Sequence, residues 1–134
     1  MSSNREESVP QPVDVYPAAS FGGKFPLMTI RVLTFEGCPN CEATRRLVQE
    51  TVNELQIPAE IESMQVDGED EAQRHGFLGS PTIQIDGQDI EVGRRGGKAT
   101  FACRLYRTLN GVSGVPPRSL LIAAIREAQH GAVK

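Results

Sequence analysis

The stretch Thr29-Ile30-Arg31-Val32-Leu33-Thr34-Phe35-Glu36-Gly37-Cys38-Pro39-Asn40-Cys41 runs from a β-branched, apolar segment through a turn into two cysteines three residues apart. Residues 29 to 35 read as a buried strand, with Gly37 and Pro39 punctuating its end. From Cys41 the period changes: Thr44, Leu47, Val48, Thr51, Val52 and Leu55 fall at helical spacing and form one apolar stripe. Glu42, Arg46, Glu50 and Glu54 line the other side at i, i+4, and Pro39 is suited to the first turn. Cys38 thus falls where a buried strand meets a helix N-terminus, and unpaired backbone N–H groups and the helix dipole there favour a thiolate. Cys38 is the expected nucleophile. Cys41, on the buried side of the first turn, is the expected resolving thiol, placed to attack a mixed disulfide at Cys38.

Downstream, residues 59 to 66 read as a second strand, and Asp67 is a candidate cap for a short helix with Glu69, Asp70 and Glu71 in its first turn. Arg74 and His75 complement the other end of that helix, and Gly76 closes it. Two alternating runs, 81 to 85 and 88 to 92, flank Asp86-Gly87, a strong hairpin signal. Pro116-Pro117 opens a last helix in which Leu121, Ala124, Ile125 and Ala128 share a face, and Gly131 is its expected end. The expected order is β-α-β-α-β-β-α, an α/β fold. Residues 93 to 114 are the least legible, although Phe101, Cys103 and Leu105 alternate as a short strand would; a helix there is the alternative.

The chain has 134 residues, a size for one domain, and 39% hydrophobic and 23% charged residues, an ordinary composition for a globular protein. Residues 1 to 27 contain Pro10, Pro12, Pro17 and Pro26 without a helical or strand period, and are expected to be a disordered tail before a domain over 28 to 131. The N-terminal residues show no basic cluster followed by an apolar run, so a reducing cytoplasm is the expected compartment. A net charge of -3 disfavours nucleic acid as a partner, and no apolar run approaches a membrane span. The charge is uneven: residues 36 to 74 carry ten acids against three bases, and 93 to 134 eight bases against one acid. Three cysteines suit thiol or metal chemistry better than a disulfide framework. A four-ligand zinc site lacks two further soft ligands, so neither metal nor cofactor is expected.

Strand, CxxC, helix, strand, acidic short helix, then Gly79-Ser80-Pro81-Thr82 and a hairpin is similar to the thioredoxin and glutaredoxin superfamily, over about residues 28 to 131. The resemblance implies a three-layer thioredoxin-like fold around a four-stranded mixed sheet. It also implies a cis peptide bond before Pro81, with that proline packed on the dithiol. Pro39, Asn40, Ser80, Pro81 and Thr82 become the expected supports of the site. Thioredoxins proper carry a Trp before the first cysteine and a buried Asp six residues ahead of it; here Gly37 and Val32 hold those positions.

Two functions fit. One is a thiol–disulfide oxidoreductase acting on a protein or low-molecular-weight disulfide, with an unidentified reductant. The other is a binding protein that holds a soft metal, Cu(I) or Hg(II), on the same thiolates, with Cys38, Cys41 and Cys103 as the ligand set. Arg94, Arg95 and Lys98 follow the hairpin and are expected at its dithiol end, where they would attract anionic substrates. Cys103 reads either as a buried core thiol or as a third thiol approaching Cys38.

Overall fold

A computed structural model of the chain describes residues 28–133; the expected tail over 1 to 27 lies outside the described residues. Strand β1 spans Met28–Thr34, α1 Cys41–Leu55, β2 Ala59–Gln65, α2 Glu69–His75, β3 Leu78–Ser80, β4 Thr82–Ile85 and β5 Gln88–Asp89. A 3₁₀ turn at Val92–Arg94 leads to β6 Thr100–Cys103, β7 Tyr106–Thr108, β8 Gly111–Ser113 and α3 Arg118–Val133.

The main sheet is mixed and has the order β2-β1-β4-β5. β1 pairs in parallel with β2, Thr34 opposite Gln65, and antiparallel with β4, Leu33 opposite Thr82. Because side chains alternate along a strand, neighbours on β1 serve two cores. Ile30 and Val32 join Val48, Val52, Ile83, Leu121 and Ile125 beneath α1 and α3, whereas Leu33 packs with Val66, Ala72 and Phe77. At about 25 cal/mol per Å² of buried apolar area, these fully enclosed aliphatic side chains are the main stabilising term.

The turn between β4 and β5 has positive φ at both Asp86 (50°) and Gly87 (86°), the backbone that an Asp-Gly hairpin adopts. Asp86 also binds the start of β1: its Oδ1 accepts from Thr29 N–H at 2.9 Å and its own N–H donates to the Thr29 carbonyl at 2.8 Å. This end of the sheet is therefore opposite the one where β1 leads to Cys38.

Several local expectations shift. The cap of α2 is Gly68 rather than Asp67, whose N–H is instead taken by Glu71 Oε1 at 2.7 Å. Strand β5 ends at Asp89, not at residue 92, and α3 continues past Gly131 to Val133. Residues 100 to 113 form a strand and a hairpin rather than a helix. β6 pairs in parallel with β3, Ser80 opposite Cys103, and β7 pairs antiparallel with β8. No described helix is long and apolar enough to cross a membrane.

Candidate active site

Strand β1 ends at Thr34, and the chain turns so that Cys38 N–H donates to the Phe35 carbonyl at 3.2 Å. Gly37 takes φ +85°, which favours glycine at this bend. Cys38 therefore precedes the helix, and Cys41 is its first residue. Both are half-buried free thiols. Asn40 caps α1 through its backbone, its carbonyl accepting from Thr44 N–H at 3.1 Å, while its side chain makes no capping bond. That side chain lies instead against Gly114, where a Cβ would run into it, so the β8–α3 connection closes over the CxxC loop. Pro39 is exposed and stands just ahead of the cap Asn40, two residues before the first helical residue.

The polar neighbour of Cys41 is Thr34. The Cys41 thiol donates to Thr34 Oγ1 at 3.7 Å, and Thr34 is only 7% exposed. A hydroxyl four residues ahead of Cys38 thus faces the second thiol, near where thioredoxins proper carry their buried Asp.

The peptide bond between Ser80 and Pro81 is cis. Ser80 Oγ accepts from Phe35 N–H at 3.2 Å, tying the proline turn to the loop that carries Cys38. Thr82 Oγ1 donates to the Gly79 carbonyl and accepts from Leu78 N–H at 3.1 Å, closing the turn on itself. Ser80 and Thr82 are fully buried.

Behind this turn lies a buried ionic cluster. The Arg104 guanidinium bridges both Asp89 carboxylate oxygens at 2.7 and 2.8 Å, reaches Glu91 Oε1 at 2.7 Å and stacks 4.4 Å from the Tyr106 ring centroid. Burial opposes the Arg104 charge, but hydrogen bonding to Asp89 and the surrounding negative charge hold it above its ordinary range. Burial also pushes the Tyr106 hydroxyl above its ordinary range, the Arg104 charge opposing it only partly.

The cations after the hairpin are distributed differently from expectation. Arg95 donates to the Asp89 carbonyl and pairs bidentately with Glu127 of α3 at 3.0 Å, beside Asp86 and Gln88 at the end of the sheet remote from Cys38. A helix acid captures it, so it does not serve the dithiol end. Arg94 lies 3.7 Å from Glu91, and Lys98 is exposed. Cys103 is exposed on β6, not a core thiol. Among the described residues no three His, Cys, Asp or Glu side chains are gathered to hold a metal ion, so Cys38, Cys41 and Cys103 do not form one sulfur cage.

Thr34, Asp89, Arg104, Tyr106 and Gly114 were not singled out by sequence reasoning. For Arg104 and Tyr106 the available signal is their own alternation, which runs opposite to that of Cys103 and Leu105. Nothing local marks Gly114.

A family model described as a thioredoxin domain matches residues 28–99. The thioredoxin of Methanocaldococcus jannaschii is 36% identical over 63 residues, covering 46% of this chain and 73% of that protein. The family match takes in the CxxC, the cis-proline turn and the hairpin, and ends before Cys103, Arg104 and Tyr106. With a CxxC at the head of α1, a cis-proline turn bonded to its loop, and a family match over residues 28–99, the chain belongs to the thioredoxin family.

Proposed function

We propose that the protein is a thiol–disulfide oxidoreductase working through Cys38 and Cys41, on a three-layer arrangement with α1 and α3 on one face of the sheet and α2 on the other. The observation that carries this is the placement of two free thiols on either side of a helix start, Cys38 in the preceding turn and Cys41 as the first helical residue. In the reductive direction the Cys38 thiolate attacks one sulfur of a substrate disulfide. That S–S bond breaks, a Cys38–substrate disulfide forms, and the first substrate thiolate leaves and takes a proton. The Cys41 thiolate then attacks the Cys38 sulfur, which releases the second substrate thiol and leaves a Cys38–Cys41 disulfide. Two electrons have passed to the substrate; an external thiol reductant returns the pair to the dithiol. Cys41 must lose its proton to act, and Thr34 Oγ1, which already accepts a hydrogen bond from its thiol, is placed to relay that proton by giving up its own. Pro39, Asn40, Ser80, Pro81 and Thr82 support the loop, and substrates are protein or small-molecule disulfides.

Reduction of a small aromatic disulfide and of insulin, followed for wild type, Cys38→Ser and Cys41→Ser, tests this. The expected result is loss of turnover in both variants, faster alkylation of Cys38 than of Cys41 in wild type, and mixed disulfides trapped by Cys41→Ser. Equal alkylation rates and no turnover, with tight retention of Hg(II) or Cu(I), would replace the proposal with soft-metal binding by the same two thiols.

A further inference from the structure

Three consecutive residues of the cis-proline turn are held by one segment of the chain. The Arg104 N–H donates to the Ser80 carbonyl at 2.9 Å, the Tyr106 hydroxyl donates to the Pro81 carbonyl at 2.6 Å, and Arg104 Nη1 donates to Thr82 Oγ1 at 3.2 Å. The contacts continue toward the thiols. Ser80 Oγ accepts from Phe35 N–H, and the Phe35 carbonyl accepts from Cys38 N–H, each at 3.2 Å. Arg104 and Cys38 are thus linked residue to residue, by one hydrogen bond at each step, through Ser80 and Phe35. Arg104 is 2% exposed and Tyr106 fully buried, so water does not compete for these bonds.

We propose that Arg104 and Tyr106 are positioning residues for the dithiol, clamping the Ser80-Pro81-Thr82 turn and, through it, the loop that carries Cys38. The proposal rests on the dithiol function proposed above and adds a second support, supplied by chain beyond the 28–99 match. A buried guanidinium is costly, and an apolar side chain would fill the same space more cheaply. The planar fork of arginine does something an apolar group cannot: it engages Asp89 and Glu91 and still presents Nη1 to Thr82. Tyr106 completes the clamp from below, its ring against the guanidinium and its hydroxyl on the turn. Gly79 leaves room for this approach, since a Cβ there would stand 2.8 Å from Arg104 Cβ.

Tyr106→Phe removes one hydroxyl and keeps the ring; Arg104→Lys keeps a charge for Asp89 but loses the fork. Both are to be assayed alongside wild type for melting temperature, for reduction of a small aromatic disulfide, and for the ratio of Cys38 to Cys41 alkylation by iodoacetamide. For folded Tyr106→Phe the expected result is an exchange rate lower by about fivefold, the worth of one misplaced hydrogen bond. The alkylation ratio should shift in the same variant by about threefold or more. Arg104→Lys should retain more of both than Arg104→Met. Variants that remain folded with the wild-type exchange rate and alkylation ratio overturn the clamp. If wild type reduces no disulfide, the dithiol function fails instead, and the alkylation ratio alone then decides whether Arg104 and Tyr106 set the geometry at Cys38.

Discussion

The stretch from β1 through β5 and the stretch from β6 through β8 are built on opposite rules. In the first, the core is built chiefly from apolar side chains, Ile30, Val32 and Ile83 in the sheet and Val48 and Val52 on α1, although Thr44, Ser80, Thr82, Gln84 and Asp89 are buried as well. In the second the alternation survives with its polarity inverted: Arg104 and Tyr106 are buried, while Cys103 and Leu105 are exposed, as are Leu109 and Val112 in the following hairpin. The first region holds itself by removing apolar surface from water. The second is held to it by charge-assisted hydrogen bonds that are strong because they are dry, with both terminal nitrogens of Arg104 partnered and its Nε buried without a partner. Tyr106 also joins the main apolar cluster through its ring, and the polar groups of Arg104 and Tyr106 converge on the cis-proline turn.

The largest break between the two rules is expected from Asp89→Asn. Arg104 and Asp89 have side-chain exposures of 0% and 3%, and removing the carboxylate charge leaves a guanidinium buried with only Glu91 to balance it. Loss of one partner of such a pair costs about 3–5 kcal/mol, here toward the lower figure because Glu91 remains. Trimming the apolar core by Ile83→Val should cost only about 0.5–1.5 kcal/mol. Urea unfolding of both variants measures the contrast. If Asp89→Asn is the milder of the two, the second region is not held by its charges.

This inversion also marks where the sequence could be read and where it could not. The strand into Cys38, the stripe on α1, the Asp86-Gly87 turn and the Leu121–Ile125 face follow from period and turn chemistry, because each element buries an apolar set. Phe101, Cys103 and Leu105 show the same period of two, and the rule that apolar faces turn inward puts them on the wrong side. The two possible faces of a strand differ by one residue of register, and a buried arginine is intelligible only once Asp89 and Glu91, far away in the chain, are in place. Phe101 is a partial exception, packing on Phe35 at 5.3 Å while remaining 40% exposed. The site divides in the same way. Cys38, Cys41 and Pro81 announce themselves by spacing and resemblance, whereas Thr34 and Gly114 matter through contacts that no local pattern encodes.

A smaller effect comes from the point where the two regions touch. Gly79 has φ +109°, and an added Cβ would lie 2.8 Å from Arg104 Cβ and 3.2 Å from the Ala102 carbonyl oxygen. Gly79→Ala combines backbone strain with displacement of the arginine, and should cost about 1–3 kcal/mol. Gly93→Ala, whose Cβ would enter open space, should fall within about 0.5 kcal/mol of wild type. Chemical denaturation of the two variants sharpens the comparison, since both sites are glycines and only one faces the inverted strand. Equal stabilities would mean that β6 and the residues after it move aside freely.

The smallest effect expected lies at the other end of the sheet, where Arg95 follows the conventional rule of a surface ion pair. Its bidentate contact with Glu127 holds that carboxyl below its ordinary value, chiefly through the hydrogen bonds from Arg95. A carboxyl depressed in the folded state contributes stability at pH values above its unfolded value, and the contribution is lost as pH falls through the folded value. Arg95→Ala should therefore lower the melting temperature slightly at neutral pH, and the difference from wild type should fade on acidification below the carboxylate range. Because Glu127 is exposed to solvent, about 1 M salt should also erase most of the difference. Disulfide exchange should be unaffected, since Arg95 is anchored beside Asp86 and not beside Cys38. A variant that melts like wild type at neutral pH but exchanges more slowly would return this cation to the dithiol end and reverse the assignment.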